Sequence, residues 1–268
     1  MSEKTDKLSP RTSPGAGILG FFLGMCLAGG SYFGAMRLAG AGAMTAAIVL
    51  SVAAVIGAGY SAIAFSKTIY PVGFLSILGF LLDMSWSLLN TLAGFMVWIP
   101  ACRMVSANFV QPDGNSKRSG TFVYDKNPRG GGYDATTIGP VIAGGWSSHE
   151  ETHVWQARIF GPSYMLTYII ALGLNIPFRL MTGKTKNLTI EAYYRIPFED
   201  WAYWGGSTSG SHIDRRWWLR GFLLALIYTL ALIAIPLGFA LAIRPLWLLG
   251  IGVLAIYSLI RAFAPSGH

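Results

Sequence analysis

The sequence predicts a mainly α, multi-pass helical membrane protein with a small α+β domain between its membrane helices. Three observations lead there. Of 268 residues, 53% are hydrophobic and only 12% are charged, against about 25% charged in a soluble domain. Mean hydropathy is +0.49, and the apolar residues gather in runs long enough to span a bilayer. A polar, glycine-rich interval separates the early runs from the last two. The net charge of +8 fits basic residues flanking helices on the cytoplasmic side. It does not point to nucleic acid, because no basic stripe interleaved with aromatics stands outside the apolar context. The chain divides into a disordered tail (1–15), N-terminal membrane helices (16–102), an extramembrane domain (103–218) and a C-terminal helical hairpin (219–268).

Residues 1–15 are polar and carry two prolines, hence the expected tail. The apolar run that follows is too long for a signal peptide and reads as a retained anchor. The first helix covers 16–36, with Ala16, Gly20, Gly24 and Ala28 forming a small-residue stripe. Such a stripe lets a second helix approach closely, within this chain or in a homo-oligomer, and packing within the chain is the expected use. Gly40-Ala41-Gly42 makes a turn into a second helix, 43–65. The third apolar stretch, 70–101, exceeds one span, so it tilts, breaks near Ser85–Ser87 or re-enters. Asp83 inside it is either functional or faces the bundle interior with a local partner. Cys26 and Cys102 have no metal-binding or redox spacing and read as buried hydrophobes.

Turn clusters then appear, Gln111-Pro112-Asp113-Gly114-Asn115 and Asn127-Pro128-Arg129-Gly130-Gly131-Gly132. Between and after them, 121–124 and 136–142 read as strands. Pro140 makes the second an edge, able to accept an extended peptide by strand addition. A helix over 147–160 follows. Ser147 or Ser148 caps it, and Gly161-Pro162 ends it. It is too short and polar to span lipid. Residues 163–181 suit a buried core helix, a short span or, the favoured reading, a helix at the membrane surface. Pro197 suits a helix's first turn, with Glu199 and Asp200 behind it. Residues 205–210 form a loop, and 219–243 and 246–263 are the last two spans. Trp217, Trp218 and Trp247 suit interface anchoring. The basic residues from Arg103 to Arg220 favour a cytoplasmic domain, whereas three preceding spans place the basic tail outside. A re-entrant third segment removes that conflict.

Within the 147–160 helix lies His149-Glu150-Glu151-Thr152-His153, an H-E-x-x-H pattern. Four-residue spacing stacks two imidazoles on one helix face, able to share one Zn²⁺. Glu150 is placed to take a proton from an attacking water. A catalytic zinc needs a third protein ligand; Glu199 is the first choice, Glu191 the second and His212 the third. Tyr193, Tyr194 or Tyr203 would steady an oxyanion. Two capping boxes compete, Ser147 with Glu150 and Ser148 with Glu151; the second leaves the Glu150 carboxylate for chemistry. The longer H-E-x-x-H-x-x-G-x-x-H pattern is excluded, since Gln156 and Ile159 hold its Gly and His positions.

His149-Glu150-x-x-His153-Val154-Trp155-Gln156, preceded by Thr137-Ile138-Gly139-Pro140-Val141-Ile142, resembles bacterial zincin-type metallopeptidase domains. Pro197-Phe198-Glu199-x-x-Ala202 resembles the gluzincin segment that carries the third ligand, with Tyr203 where an Asp often follows. The resemblance covers about residues 136–204. It implies a zincin-like domain, Zn²⁺ on His149, His153 and Glu199, Glu150 as base, and a peptide or protein substrate. The expectation is a membrane-anchored zinc metallopeptidase of a bacterial inner membrane, in contact with the bilayer. Two other readings compete. One is a non-catalytic membrane protein whose histidines hold structural metal or pack. The other is a transporter-like bundle with Asp83 on its pathway.

Overall fold

Ser13 opens the first helix. Its Oγ accepts the Ala16 N–H at 3.4 Å, and Pro14, which has no amide hydrogen to leave unpaired, takes the first turn. The computed structural model describes residues 13–110, 119–130, 135–182, 188–205 and 215–263. The expected tail before Ser13, the 111–115 turn, the loop after Gly205 and His212 lie outside them. The described chain is mainly helical and divides into two compact units, Met1–Trp146 with Ala157–Gly161, and Ser147–Gln156 with Pro162–His268.

In the first unit, α1 (Pro14–Leu38) and α2 (Ala43–Ser66) form a hairpin turned at Gly40. Gly20, Gly24 and Ala28 of the small-residue stripe are buried, together with Gly17. A Cβ on Gly24 would stand 2.2 Å from the Gly57 carbonyl oxygen. The stripe thus packs against α2 of its own chain. Gly24→Leu is expected to destabilise the hairpin by on the order of 1–3 kcal/mol or more through overpacking. Thermal unfolding in detergent checks this; an unchanged midpoint would mean that the helices do not meet there. Cys102 is buried, but Cys26 is exposed. That corrects the expectation for Cys26, which lies on the outer face of α1, two residues from the packed Gly24.

The third apolar stretch does break. α3 (Phe74–Asp83) stops, and the chain resumes as α4 (Leu88–Ala93), a π-helical turn (Gly94–Trp98) and α5 (Ile99–Met104), bent by 85° from α3. Polar side chains at the break serve the end of α6 (Ser148–Phe160). Ser87 Oγ donates to the Ala157 carbonyl (2.8 Å), Asn90 Nδ2 to those of Ala157 and Gly161 (2.9 and 2.7 Å), and Trp86 Nε1 to that of Ile159 (3.0 Å). They satisfy carbonyls that a helix end leaves without intrahelical donors. Asp83 is buried, and Arg158 grips it through Nε (3.0 Å) and Nη2 (2.7 Å) while Tyr70 donates to Oδ2. This is the local-partner outcome for Asp83.

The small sheet has strands β1 (Phe109–Val110), β2 (Phe122–Tyr124), β3 (Thr136–Ile138) and β4 (Val141–Ala143), in the order β1-β2-β4-β3. β2 and β4 are parallel; the other neighbours are antiparallel. The expected single strand over 136–142 is instead a hairpin, β3 at the sheet edge and β4 inside. The cause is the two-residue link Gly139-Pro140. Gly139 adopts φ +55°, and a Cβ there would lie 2.2 Å from the Asn90 carbonyl oxygen, so the chain reverses where only glycine fits.

The second unit holds the first nine residues of α6 with α7 (Ser163–Leu180), α8 (Leu188–Tyr193), α9 (Pro197–Gly205), α10 (Arg215–Ala240) and α11 (Arg244–Phe263). Pro197 starts α9 as expected. Trp247 stacks on Phe239 across the α10–α11 turn, with centroids 4.8 Å apart. Among the described residues four helices are long and apolar enough to cross a membrane: α1, α2, Leu219–Ala240 and α11. Counting each bent pair, α3 with α4–α5 and α6 with α7, as one span raises this to six. That number is compatible with an integral membrane protein.

Candidate metal centre

The site grows from the start of α6. Ser147 Oγ accepts the Glu150 N–H at 3.2 Å, and the Ser147 carbonyl accepts the Glu151 N–H at 2.9 Å. Ser147 is therefore the cap, and Ser148 lies inside the helix, where its carbonyl accepts the Thr152 hydroxyl. Of the two competing caps the helix takes Ser147, the one whose box pairs with Glu150. Glu150 and Glu151 sit in the first turn, where the helix dipole favours negative charge.

One turn apart, His149 and His153 bring their rings together with centroids 4.8 Å apart and Nε2 atoms 3.2 Å apart. α9 presents Glu199 to both. Its Oε1 is 3.3 Å from His153 Nε2, and its Oε2 is 3.5 Å from His149 Nε2. Each imidazole thus faces a different oxygen of the one carboxylate, and with one ligand atom taken from each residue the three lie within 4.8 Å of one another, close enough to converge on one ion. His149, Glu150 and His153 are 5–7% exposed and Glu199 is fully buried. Glu199 Oε2 and His149 Nδ1 are buried without a hydrogen-bond partner. Buried polar atoms normally have partners, and a carboxylate oxygen that faces the His149 imidazole at 3.5 Å without a hydrogen bond suits a cation. This buried His-His-Glu group could bind a metal ion.

The surroundings orient the imidazoles. Gln156, one turn after His153, donates its amide nitrogen to the Phe198 carbonyl at 2.8 Å. Its oxygen is thereby left to face His153 Nδ1, also at 2.8 Å. Nδ1 must then be the donor, and in the neutral ring Nε2 keeps the lone pair that a metal needs. The Tyr203 ring lies against His149, centroids 4.4 Å apart. α9 is tied to α11 because Asp200 accepts from Arg261 and, at 3.1 Å, from the Tyr257 hydroxyl.

Of the expected site residues, the structure brings together His149, His153 and Glu199, with Glu150 beside the histidines on α6. Glu191 lies on α8, and its side chain is outside the described part. Tyr203 touches His149, and Tyr194 packs on Tyr203 with centroids 5.6 Å apart. Sequence reasoning missed Gln156, Tyr168 and the Asp200–Arg261 pair. Gln156 had a signal, a polar residue three positions after a ligand on the same helix face.

Burial disfavours charge on His153, but the Glu199 carboxylate and its hydrogen bond outweigh burial and raise the imidazole to about 9. Burial also opposes charge on Glu199, yet the two histidines hold it below the usual carboxylate range. At pH 7 the metal-free pair is thus ionic, with a proton on His153. Metal binds only the neutral ring, so loading is expected to release about one proton. Affinity should climb about tenfold per pH unit from pH 7 to about 9, then level off. Calorimetry in buffers of different ionisation heat measures the released proton, and pH-independent binding would contradict it.

Comparison of the chain with protein-family models, curated proteins and solved structures finds no match.

Proposed function

We propose that this chain is an integral membrane zinc metallopeptidase, spanning the bilayer with α1, α2, α10 and α11 and cleaving peptide or protein substrates. The observation that carries the reading is the buried His149–His153–Glu199 triad, whose ligand atoms lie within 4.8 Å of one another, with a carboxylate, Glu150, next to the first histidine. Two imidazoles and one carboxylate suit zinc and leave a position open. Bound there, zinc would polarise a carbonyl and lower the pKa of a water toward ~7.

The chain's own residues supply the rest. Glu150 takes the proton of the attacking water and passes it to the leaving amine. Gln156 holds the His153 tautomer, and Tyr203 packs beside His149 on the approach to an oxyanion. The zincin-type resemblance of residues 136–204 accords with this reading, and the membrane proposed is a bacterial inner membrane. The near-complete burial of the triad favours a second one, a structural metal site without turnover. Structural zinc sites usually have four protein ligands, however, and the group found among the described residues has three.

The test is hydrolysis of a quenched-fluorescence peptide library by the full chain in nanodiscs. Cleavage that a chelator abolishes and added Zn²⁺ restores supports the peptidase. Full metal occupancy without cleavage supports the structural site.

A further inference from the structure

The two oxygens of Glu199 are in different situations. Oε1 accepts the Tyr168 hydroxyl, and Tyr193 is drawn to the same carboxylate. Oε1 also lies 3.3 Å from His153 Nε2, whereas Oε2, 3.5 Å from His149 Nε2, is buried and has no hydrogen-bond partner. Tyr168 is well fixed for its contact. Its ring lies parallel to that of Phe198, centroids 6.4 Å apart and planes 8° from parallel, and edge-on to Tyr164 at 5.9 Å. Tyr164, one turn earlier on α7, reaches His153 Nδ1 at 3.4 Å. One face of α7 therefore backs both a histidine and the carboxylate.

We propose that Tyr168 is a positioning residue for the metal centre, its hydroxyl holding Glu199 Oε1 so that Oε2 alone is left to ligate the metal. The inference rests on the reading of the triad as a metal site and deepens it. A carboxylate oxygen that accepts a phenol is a weaker metal donor and cannot swing toward the ion without breaking that bond. With Oε2 alone, the protein contributes three ligand atoms, and a four-coordinate metal keeps one position for water. With both oxygens the protein would contribute four, and a metal that keeps its water would become five-coordinate. Tyr168 thus holds the centre four-coordinate rather than five-coordinate.

The test uses the full chain in detergent, as wild type, Tyr168→Phe and Tyr168→Phe/Tyr193→Phe, each loaded with Zn²⁺ or with Co²⁺ as a spectroscopic probe. Phenylalanine keeps the ring packing and removes only the hydroxyl. Metal affinity comes from competition with a chromophoric chelator. Wild type is expected to show the intense visible bands of four-coordinate Co²⁺. Tyr168→Phe should weaken the affinity about 10–100-fold and lose band intensity as the second oxygen joins the metal, with the double variant showing at least as large a change. Infrared carboxylate band separation in zinc-loaded wild type should be that of one-oxygen ligation, and this measurement depends on no variant. A two-oxygen separation in wild type overturns the proposal, as do unchanged affinity and spectrum in the double variant. Wild type that takes up no metal would instead refute the metal site itself, a separate and recognisable failure.

Discussion

Glu150→Gln is expected to lower peptide hydrolysis by about 10²–10⁴-fold while leaving metal content unchanged. That range is the usual contribution of a positioned general base. The substitution keeps the size and hydrogen-bonding reach of the side chain but removes its ability to take a proton. Glu150 is not a member of the His149–His153–Glu199 cluster, so binding of the ion does not need its charge. Its backbone N–H still caps onto Ser147 in the variant, so the helix start survives. His149→Ala should behave differently, losing metal and activity together. Steady-state kinetics beside elemental analysis separate the two effects. A Glu150→Gln protein as active as wild type would remove the base and favour the non-catalytic alternative.

The second large effect concerns the fold. Asp83→Asn or Arg158→Met alone should destabilise the protein by about 3–5 kcal/mol, because each leaves the other charge buried without its counter-ion. Both side chains are 1% exposed. Arg158 also donates to the Ser119 and Gly120 carbonyls, so its loss should fall toward the upper end. Replacing both with apolar residues of similar volume should recover much of the loss, since a buried pair stabilises little over a well-packed hydrophobic substitute. Denaturation midpoints of the two single variants and the double variant measure the coupling. Additive effects would mean that the two charges do not depend on each other. The pair also gives Asp83 a reason to sit in an apolar stretch without any place on a transport pathway.

How much of this was legible beforehand follows from sequence distance. The two histidines share one helix turn, so their meeting could be read directly from spacing, and a proline-led acidic turn marked Glu199. The break near residues 85–87 was visible because a mostly apolar stretch of 32 residues exceeds one span. Asp83 and Arg158 lie 75 positions apart, and no local periodicity pairs them. Tyr168 meets Glu199 through the packing of α7 on the site, and an apolar helix offers many tyrosine positions of equal promise. The 136–142 segment misled because its alternation looks the same in one strand or two short ones. Only the positive φ of Gly139 decides, and it appears in the backbone rather than in the pattern. The choice of Ser147 over Ser148 turned on one residue of helix register, the least predictable property of any helix end.

The most direct test of the central claim is the metal content of detergent-purified wild type beside His149→Ala, Glu199→Ala and Glu150→Gln, by elemental mass spectrometry. The account predicts about one zinc per chain in wild type and in Glu150→Gln, with occupancy lost in both ligand variants. Folded wild type without stoichiometric metal, or zinc that persists after His149→Ala and Glu199→Ala, would contradict it.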